Sequence, residues 1–573
     1  MILFKSSRLI CAIALLLTFT ASAAALDRNA FTFTRYELDA SVTPESHGFS
    51  VSGTVTVRND STVPQRDVDL QITSSLTWMS IGMDGKTVPF VAQPYTSDID
   101  HTGSLSEAIV TLPQAVAPGA SVTLQVAYQG TIQKNAVRLE RIGTPGEVAY
   151  RTEWDEVSSY FTGVRSIGHV NWFPVAMDAA SLSEGTSVFD TEAAWMQRQS
   201  ASELLVTMAV PTGLKIASNA DSTQITAEKT TLDFHRLGSR VPTFVMANFE
   251  VMERPAITMY YVPDHASIAR DYVVACEKAV PLVTDWFGAP REKITVIDLP
   301  DQLSSTFESG SVEFLPLRKL DPIGFELSMI HPLVHSAFHS NRKWIDEGLA
   351  HFLQSVAVET DEKSHAAGLA YMGNFLPGLA QTEKIALSPN NPGKMVSQPL
   401  VTTNDDIYFR VKGAYVWIML RELIGDEALK KAIRSYRSEA DKQPAYMQSL
   451  VETPADPMAP KLDLEWFFDD WVYRDKGLAE FSIESAYPRE SLMKSYMVTV
   501  TVANTGNVQA DAIVSLRSAA GVRSTHGLVK ANSKEVLRIS FPVRPDEAIV
   551  NDGTVPEYDR KNNTFTFGPE TPQ

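Results

Sequence analysis

At 573 residues the chain has room for about three or four domains. It is 44% hydrophobic and 21% charged, the composition of an ordinary soluble globular protein. The formal net charge of −18 argues against nucleic acid as a partner, because phosphate binding needs a basic surface.

The N-terminus reads as a secretory signal. Lys5 and Arg8 form a basic region, and Leu9–Phe19 is an apolar run too short to span a bilayer comfortably. Ala21-Ser22-Ala23-Ala24-Ala25 then offers cleavage sites after Ala23 or Ala25. Residues 1–25 are therefore expected to direct export to the periplasm or the exterior, with an uncleaved anchor as the alternative. Nothing later resembles an integral membrane segment. Of the two cysteines, Cys11 leaves with the signal, so no intramolecular disulfide can form. Cys276, in VVACEKAV, is expected to be a buried core thiol on an apolar helix face.

Residues 26–252 read mainly as β. FTFTRYELDASV, FSVSGTVTVRND, SVTLQVAYQGTI, ELLVTMAVP and TTLDFHRLG alternate apolar and polar residues, which predicts half-buried strands of an antiparallel sandwich or saddle. From 253 to 478 the pattern turns mostly helical. HASIARDYVVACEKAVPLVTDWFG predicts a long helix ending at Gly288, KITVIDLP a buried strand, and GFELSMIHPLVHSAF and WIDEGLAHFLQSVAVE helices. SPNNPGK, 388–394, predicts a loop, followed by the helices KGAYVWIMLRELIG, DEALKKAIRSYRSEA and LDLEWFFDDWVYRDKG. Residues 479–573 return to β alternation, which suits a sandwich of immunoglobulin type. The fold class is thus multidomain α+β.

The stretch SMIHPLVHSAFHSNRKWIDEGLAHFLQ, 328–354, carries the chemistry. His331 and His335 are four apart and share one face if helical, and two imidazoles so placed can grip one zinc. Glu347, beyond a plausible turn at Ser340-Asn341-Arg342, could fold back as a third ligand. His339 makes a rival pair with His335, whereas His331 and His339, about 12 Å apart by helix rise, cannot readily share an ion. Pro332 would kink a helix that begins near Phe325. A later start, near Met329, puts it harmlessly in the first turn, and Pro322 and Gly324 are expected to delay the helix in this way.

Taken in order, NWFP (171–174), VPTGLKIASNA, VPTFVMANFEV, DWFGAPREKITVIDLPD, GSVEF (310–314), WIDEGLA, KGAYVWIML and WVYRDKGLAEF resemble the membrane alanyl aminopeptidases, a family of gluzincin zinc metallopeptidases. The resemblance implies a thermolysin-like central domain and a zinc ion held by His331, His335 and Glu347. It implies that Glu313, in the family's Gly-x-Met-Glu-Asn position, binds the free α-amino group of a peptide, and that Gly310 lets the backbone approach it. The departures are as informative. Pro332 replaces the family's general base. The spacing from His335 to Glu347 is shorter than the family's by about two helical turns. Phe314 replaces the motif asparagine. Arg410 stands where the family has its oxyanion-stabilising tyrosine, leaving Arg410 and Tyr408 as candidate oxyanion contacts.

The leading expectation is an exported aminopeptidase-like protein with weak or lost hydrolysis that binds peptide or protein N-termini. A working enzyme with a base recruited elsewhere is the second; Glu308 and Glu326 are near in sequence, but neither occupies the helical position of the missing base. A metal-free structural or interaction protein is the third.

Overall fold

Alternating side chains build the N-terminal region of the computed structural model, which describes residues 26–568 apart from 186, 239, 389–397, 455–457, 459 and 492–493. The expected signal, 1–25, and all but Ser388 of the expected 388–394 loop lie outside the described residues. Phe31–Thr43 pairs antiparallel with Gly48–Asn59 at the centre of an eight-stranded sheet. Its other edge meets Glu203–Met208 in parallel, a departure from the antiparallel expectation that follows from the long chain excursion between the two strands. Sheets of three and four strands and the helix Ser187–Arg198 complete this region around Tyr36, Tyr128, Trp172 and Trp195.

A mixed five-stranded sheet opens the central region. Its strands are β1 (Glu250–Glu253), β2 (Ile257–Tyr261), β3 (Ile294–Asp298), β4 (Phe307–Ser309) and β5 (Val312–Leu315), in the order β1-β2-β3-β5-β4. β2, β3 and β5 run parallel, whereas β1 and β4 pair antiparallel at the two edges. Helix α1 (Ala266–Phe287) buries Ala269, Tyr272, Val273, Cys276, Ala279 and Val283, residues at helical spacing. Cys276 is the expected core thiol, and burial pushes it up to about 12. Gly288 ends the helix at φ 91°, a conformation that favours glycine.

Helix α2 (Pro322–Ala337) corrects the expected late start. Asp321 caps it, accepting a hydrogen bond from the Gly324 N–H at 2.8 Å, and Pro322 occupies the first helical position, where its fixed φ starts the helix. Pro332 therefore sits in the helix interior, buried, where it cannot donate to the Ser328 carbonyl.

After a short turn, helix α3 (Lys343–Glu362) crosses helix α4 (Gly413–Ile424) closely. Trp344 and Trp417 stack with centroids 5.1 Å apart, and the Trp417 indole donates to the Trp344 carbonyl at 3.3 Å. Towards the C-terminus, Phe481–Glu490, Tyr496–Asn504 and Ser533–Phe541 form one antiparallel sheet. A second, four-stranded sheet is centred on Ala510–Ser518. Val500, Leu516 and Val550 of these sheets join Phe352, Trp417 and Trp471 in one continuous core. A smaller cluster, including Trp154, Phe161, Val245, Ile297 and Phe314, links the N-terminal region to the five-stranded sheet. The chain is α+β, with mostly antiparallel sheets. Among the described residues no helix is long and apolar enough to cross a membrane.

The α3–α4 crossing depends on glycine at both faces. A Cβ on Gly348 would meet the Gly413 carbonyl carbon at 3.0 Å and Trp417 Nε1 at 3.1 Å. Alanine would gain about 1 kcal/mol of helix propensity, but it would overpack a backbone contact that has no flexible end to yield. Gly348→Ala is expected to destabilise the chain by about 1–2 kcal/mol net, measured by urea unfolding followed through tryptophan fluorescence.

Candidate metal centre

His331 and His335 project from one face of α2, and their Nε2 atoms lie 3.2 Å apart despite Pro332 between them. Glu347, in the second turn of α3, folds back onto the pair. Its Oε2 is 3.4 Å from His331 Nε2 and its Oε1 is 3.6 Å from His335 Nε2. The structure thus brings together the three residues singled out as ligands. His339 is left out of the group, with its side chain 53% exposed and 3.7 Å from Asp346.

Glu308 joins the group from β4, on a strand and not at the helical position of the missing base. Its Oε2 lies 2.8 Å from His331 Nε2. The turn explains its arrival. FESGSVEF folds as a hairpin with a two-residue Gly310-Ser311 loop, and Gly310 adopts φ 66°, as a tight turn with glycine first requires. Gly310 therefore has a local structural reason to be glycine. The register places Phe307 opposite Phe314 and Glu308 opposite Glu313. Glu326, the other acid weighed as a base, faces away and pairs with Lys278 at 2.5 Å.

Arg410 and Tyr408 part company. Both lie in the π-helical turn Ile407–Lys412 that leads into α4, a distortion that re-aims successive side chains. Arg410 enters the centre, where it pairs with Glu308 Oε1 and lies 3.3 Å from Glu347 Oε2 through Nε. Tyr408 turns the other way, and its hydroxyl donates to Glu383 at 3.3 Å, beside the buried Lys412–Glu383–Asp475 network. Tyr408 is therefore no oxyanion contact in this geometry, and the Arg410 guanidinium is engaged by carboxylates.

Burial and charge set the protonation of the group. Burial opposes the Glu308 carboxylate, but His331 and Arg410 outweigh it and hold Glu308 well below the usual carboxylate range. Burial and the neighbouring Glu308 push Glu313 well above that range. Burial works against the His331 cation, yet Glu308 and Glu347 lift it well above an ordinary histidine. His335 is raised likewise, against burial, by Asp346, whose Oδ2 lies 3.4 Å from Nδ1. Asp346 is fixed in turn by the Ser340 N–H at 2.7 Å. His351, one turn beyond Glu347, packs its ring 5.1 Å from that of His331, and burial and the His331 and Arg410 cations keep it neutral.

The donor set fits zinc. Bonds of about 2.0–2.1 Å to a tetrahedral ion put neighbouring ligand atoms about 3.3 Å apart, and the spacings of 3.2, 3.4 and 3.6 Å lie close to that value. Glu347 Oε2 is buried and accepts no hydrogen bond, as a ligand oxygen would leave it. Asp346 on His335 Nδ1 is the arrangement that orients a ligating imidazole. Asp346 and His351 escaped the sequence reading, which weighed Glu308 as a base but not as a member of the metal group. Only Glu308 had a usable signal, the Gly-Ser hairpin that pairs it with Glu313.

A second acidic and histidine group, Glu153, Asp155 and His169, does not fit a metal. Asp155 is bound bidentately by Arg165, with 2.6 Å to the guanidinium, and Glu153 is bound by Arg138 at 2.6 Å. This is a buried ion-pair network. It braces β4, because the Arg165 guanidinium lies over the Trp154 ring at 4.1 Å and over the Phe307 ring at 5.4 Å, while His169 meets Phe307 edge-on at 5.5 Å.

No protein-family model matches the sequence, and no curated protein matches it.

Burial and the Arg165 charge depress His169 from 6.5 to about 4 despite the nearby Glu153. The folded chain binds this proton less tightly than the unfolded chain does. Stability is therefore full above pH 6.5 and falls as pH drops towards about 4. His169→Gln is expected to flatten that part of the acid limb, as read from thermal unfolding midpoints across the window. Parallel acid limbs in the two proteins would exclude His169 as their cause.

Proposed function

We propose that the chain is an exported zinc protein on the scaffold of the membrane alanyl aminopeptidases, with peptide hydrolysis weak or lost. On this reading a thermolysin-like domain sits between an N-terminal β-domain and an immunoglobulin-like C-terminal sandwich. The observation that carries it is the convergence of His331 and His335, with Nε2 atoms 3.2 Å apart, onto Glu347 from the next helix. Bound zinc would supply Lewis-acid activation of a peptide carbonyl.

The chain's own groups support the loss of turnover. Pro332 offers no proton acceptor on the helix face, and a positioned base typically contributes about 10²–10⁴-fold. The Tyr408 hydroxyl is committed to Glu383. Arg410 is held by Glu308 and Glu347, so its charge is spent before a substrate arrives. Glu313, beside Glu308 at the edge of the group, would take the ammonium of a peptide N-terminus. One observation favours an active enzyme as the second reading: Glu308 Oε2 is 2.8 Å from His331 Nε2, near enough to the metal position to act as a base.

Metal analysis and turnover separate these readings. The purified native chain is expected to carry about one zinc, lost in His331→Ala, and to hydrolyse aminoacyl amides no faster than that variant. A native chain without zinc would sink the metal reading. Zinc-dependent turnover in the native chain, absent in His331→Ala, would establish the active enzyme instead.

A further inference from the structure

We infer that Glu308 is a fourth protein ligand, and that the centre made by Glu308, His331, His335 and Glu347 is closed to substrate. This rests on the zinc-binding reading of the same site and goes beyond it by assigning a reason for lost hydrolysis. Catalytic zinc sites have three protein ligands and one open position, whereas structural sites are filled by four.

Geometry carries the inference. One ligand atom from each of the four residues lies within 4.8 Å of all the others. Glu308 Oε2 lies 2.8 Å from His331 Nε2, a hydrogen-bond contact about half an ångström shorter than the spacing of two ligand atoms on a tetrahedral ion, so the two would part slightly to admit the metal between them. The two oxygens of Glu308 are divided between tasks. Oε1 is bound by Arg410, and Oε2 faces the imidazoles. A ligating carboxylate held by an outer hydrogen-bond partner in this way is oriented before the metal arrives. Arg410 Nε also lies 3.3 Å from Glu347 Oε2, an ion-pair contact without a hydrogen bond, which leaves that oxygen available to a metal.

The backbone under Glu308 is also held in place. Phe307 lies between the Phe314 ring, at 5.8 Å, and the Arg165 and His169 side chains. The preceding loop is tied to the N-terminal region by the Ser305 N–H to the Arg151 carbonyl at 2.8 Å and by the Trp154 indole to the Ser305 carbonyl at 3.1 Å. A general base needs freedom to receive and release a proton. Glu308 is instead fixed at both oxygens, Oε1 on Arg410 and Oε2 beside His331, as an oriented ligand is.

Cobalt(II), bound in place of zinc, reports coordination through its visible absorption. The native cobalt protein is expected to show the intense bands of a four-coordinate ion, unmoved by added azide. Glu308→Ala should weaken cobalt binding at least about tenfold and make the bands respond to azide, because a position has opened. Glu308→Gln, which keeps the side chain's volume, should show the same direction with the hairpin intact. Azide-sensitive bands in the native protein, or native affinity in both variants, would overturn the fourth-ligand assignment while leaving the metal site standing. A native chain that takes up no cobalt at all would overturn the zinc reading itself. The azide titration of the native protein needs no variant and so does not depend on the folding of any.

Discussion

Buried charge must be matched, and in this chain the match is made by Arg410. Glu308, Glu313 and Glu347 approach one another beside two imidazoles, in a region with little water to screen them. Leaving a buried charge without its partner costs several kcal/mol. Arg410 meets two of the three acids at once, and its planar fork suits paired carboxylates as a lysine would not. The third, Glu313, is pushed above the usual carboxylate range by burial and by Glu308. The π-helical turn makes this possible, because it directs Arg410 into the centre while the neighbouring Tyr408 packs outward on the Lys412 network.

That charge balance gives the N-terminal region a role in the centre. β4 has only three residues and lies at the edge of its sheet, so its own pairing cannot fix a side chain tightly. Arg165, anchored on Asp155, and His169, beside Glu153, pack against Phe307 and supply the missing restraint from outside. Trp154 closes the seam, touching Arg165, Phe161 and Phe314. The β-rich region thus does more than cover the helices. It sets the position of a carboxylate that meets the histidines some twenty residues further along the chain.

How much of this was legible depended on whether the signal was local. The period-two strands and the buried faces of α1 and α3 follow from hydrophobic spacing alone, and the structure places them where that spacing predicts. His331, His335 and Glu347 were legible because two of them share a helix face and the third follows a short turn. The start of α2 was misread. Pro322 was weighed as a breaker, whereas an aspartate before it makes proline a helix starter. Glu308 was weighed as a base but not as a neighbour of the histidines, because strand pairing brings it in, although the Gly-Ser turn with phenylalanines and glutamates at mirrored positions encodes that register. Arg410 and Tyr408 could not be told apart, since a π-helical turn breaks the spacing by which helix faces are read.

Pro332 and Glu308 belong to one argument. A helix interior is a costly place for proline, because a hydrogen bond is lost and the ring crowds the previous turn. Packing around α2 absorbs that cost, for Met329, Ile330, Leu333 and Val334 are all fully buried. A carboxylate at position 332 would have to share the His331–His335 face with Glu308, which already stands 2.8 Å from His331. Arg410 already faces two carboxylates, through Nη2 and Nε. The apolar residue on the helix and the acidic residue on the hairpin are therefore compatible with each other, and two acidic residues at those places would not be. On the proposed reading, the helix carries no base and the hairpin supplies the carboxylate beside the histidines, where it would ligate a metal and not transfer a proton.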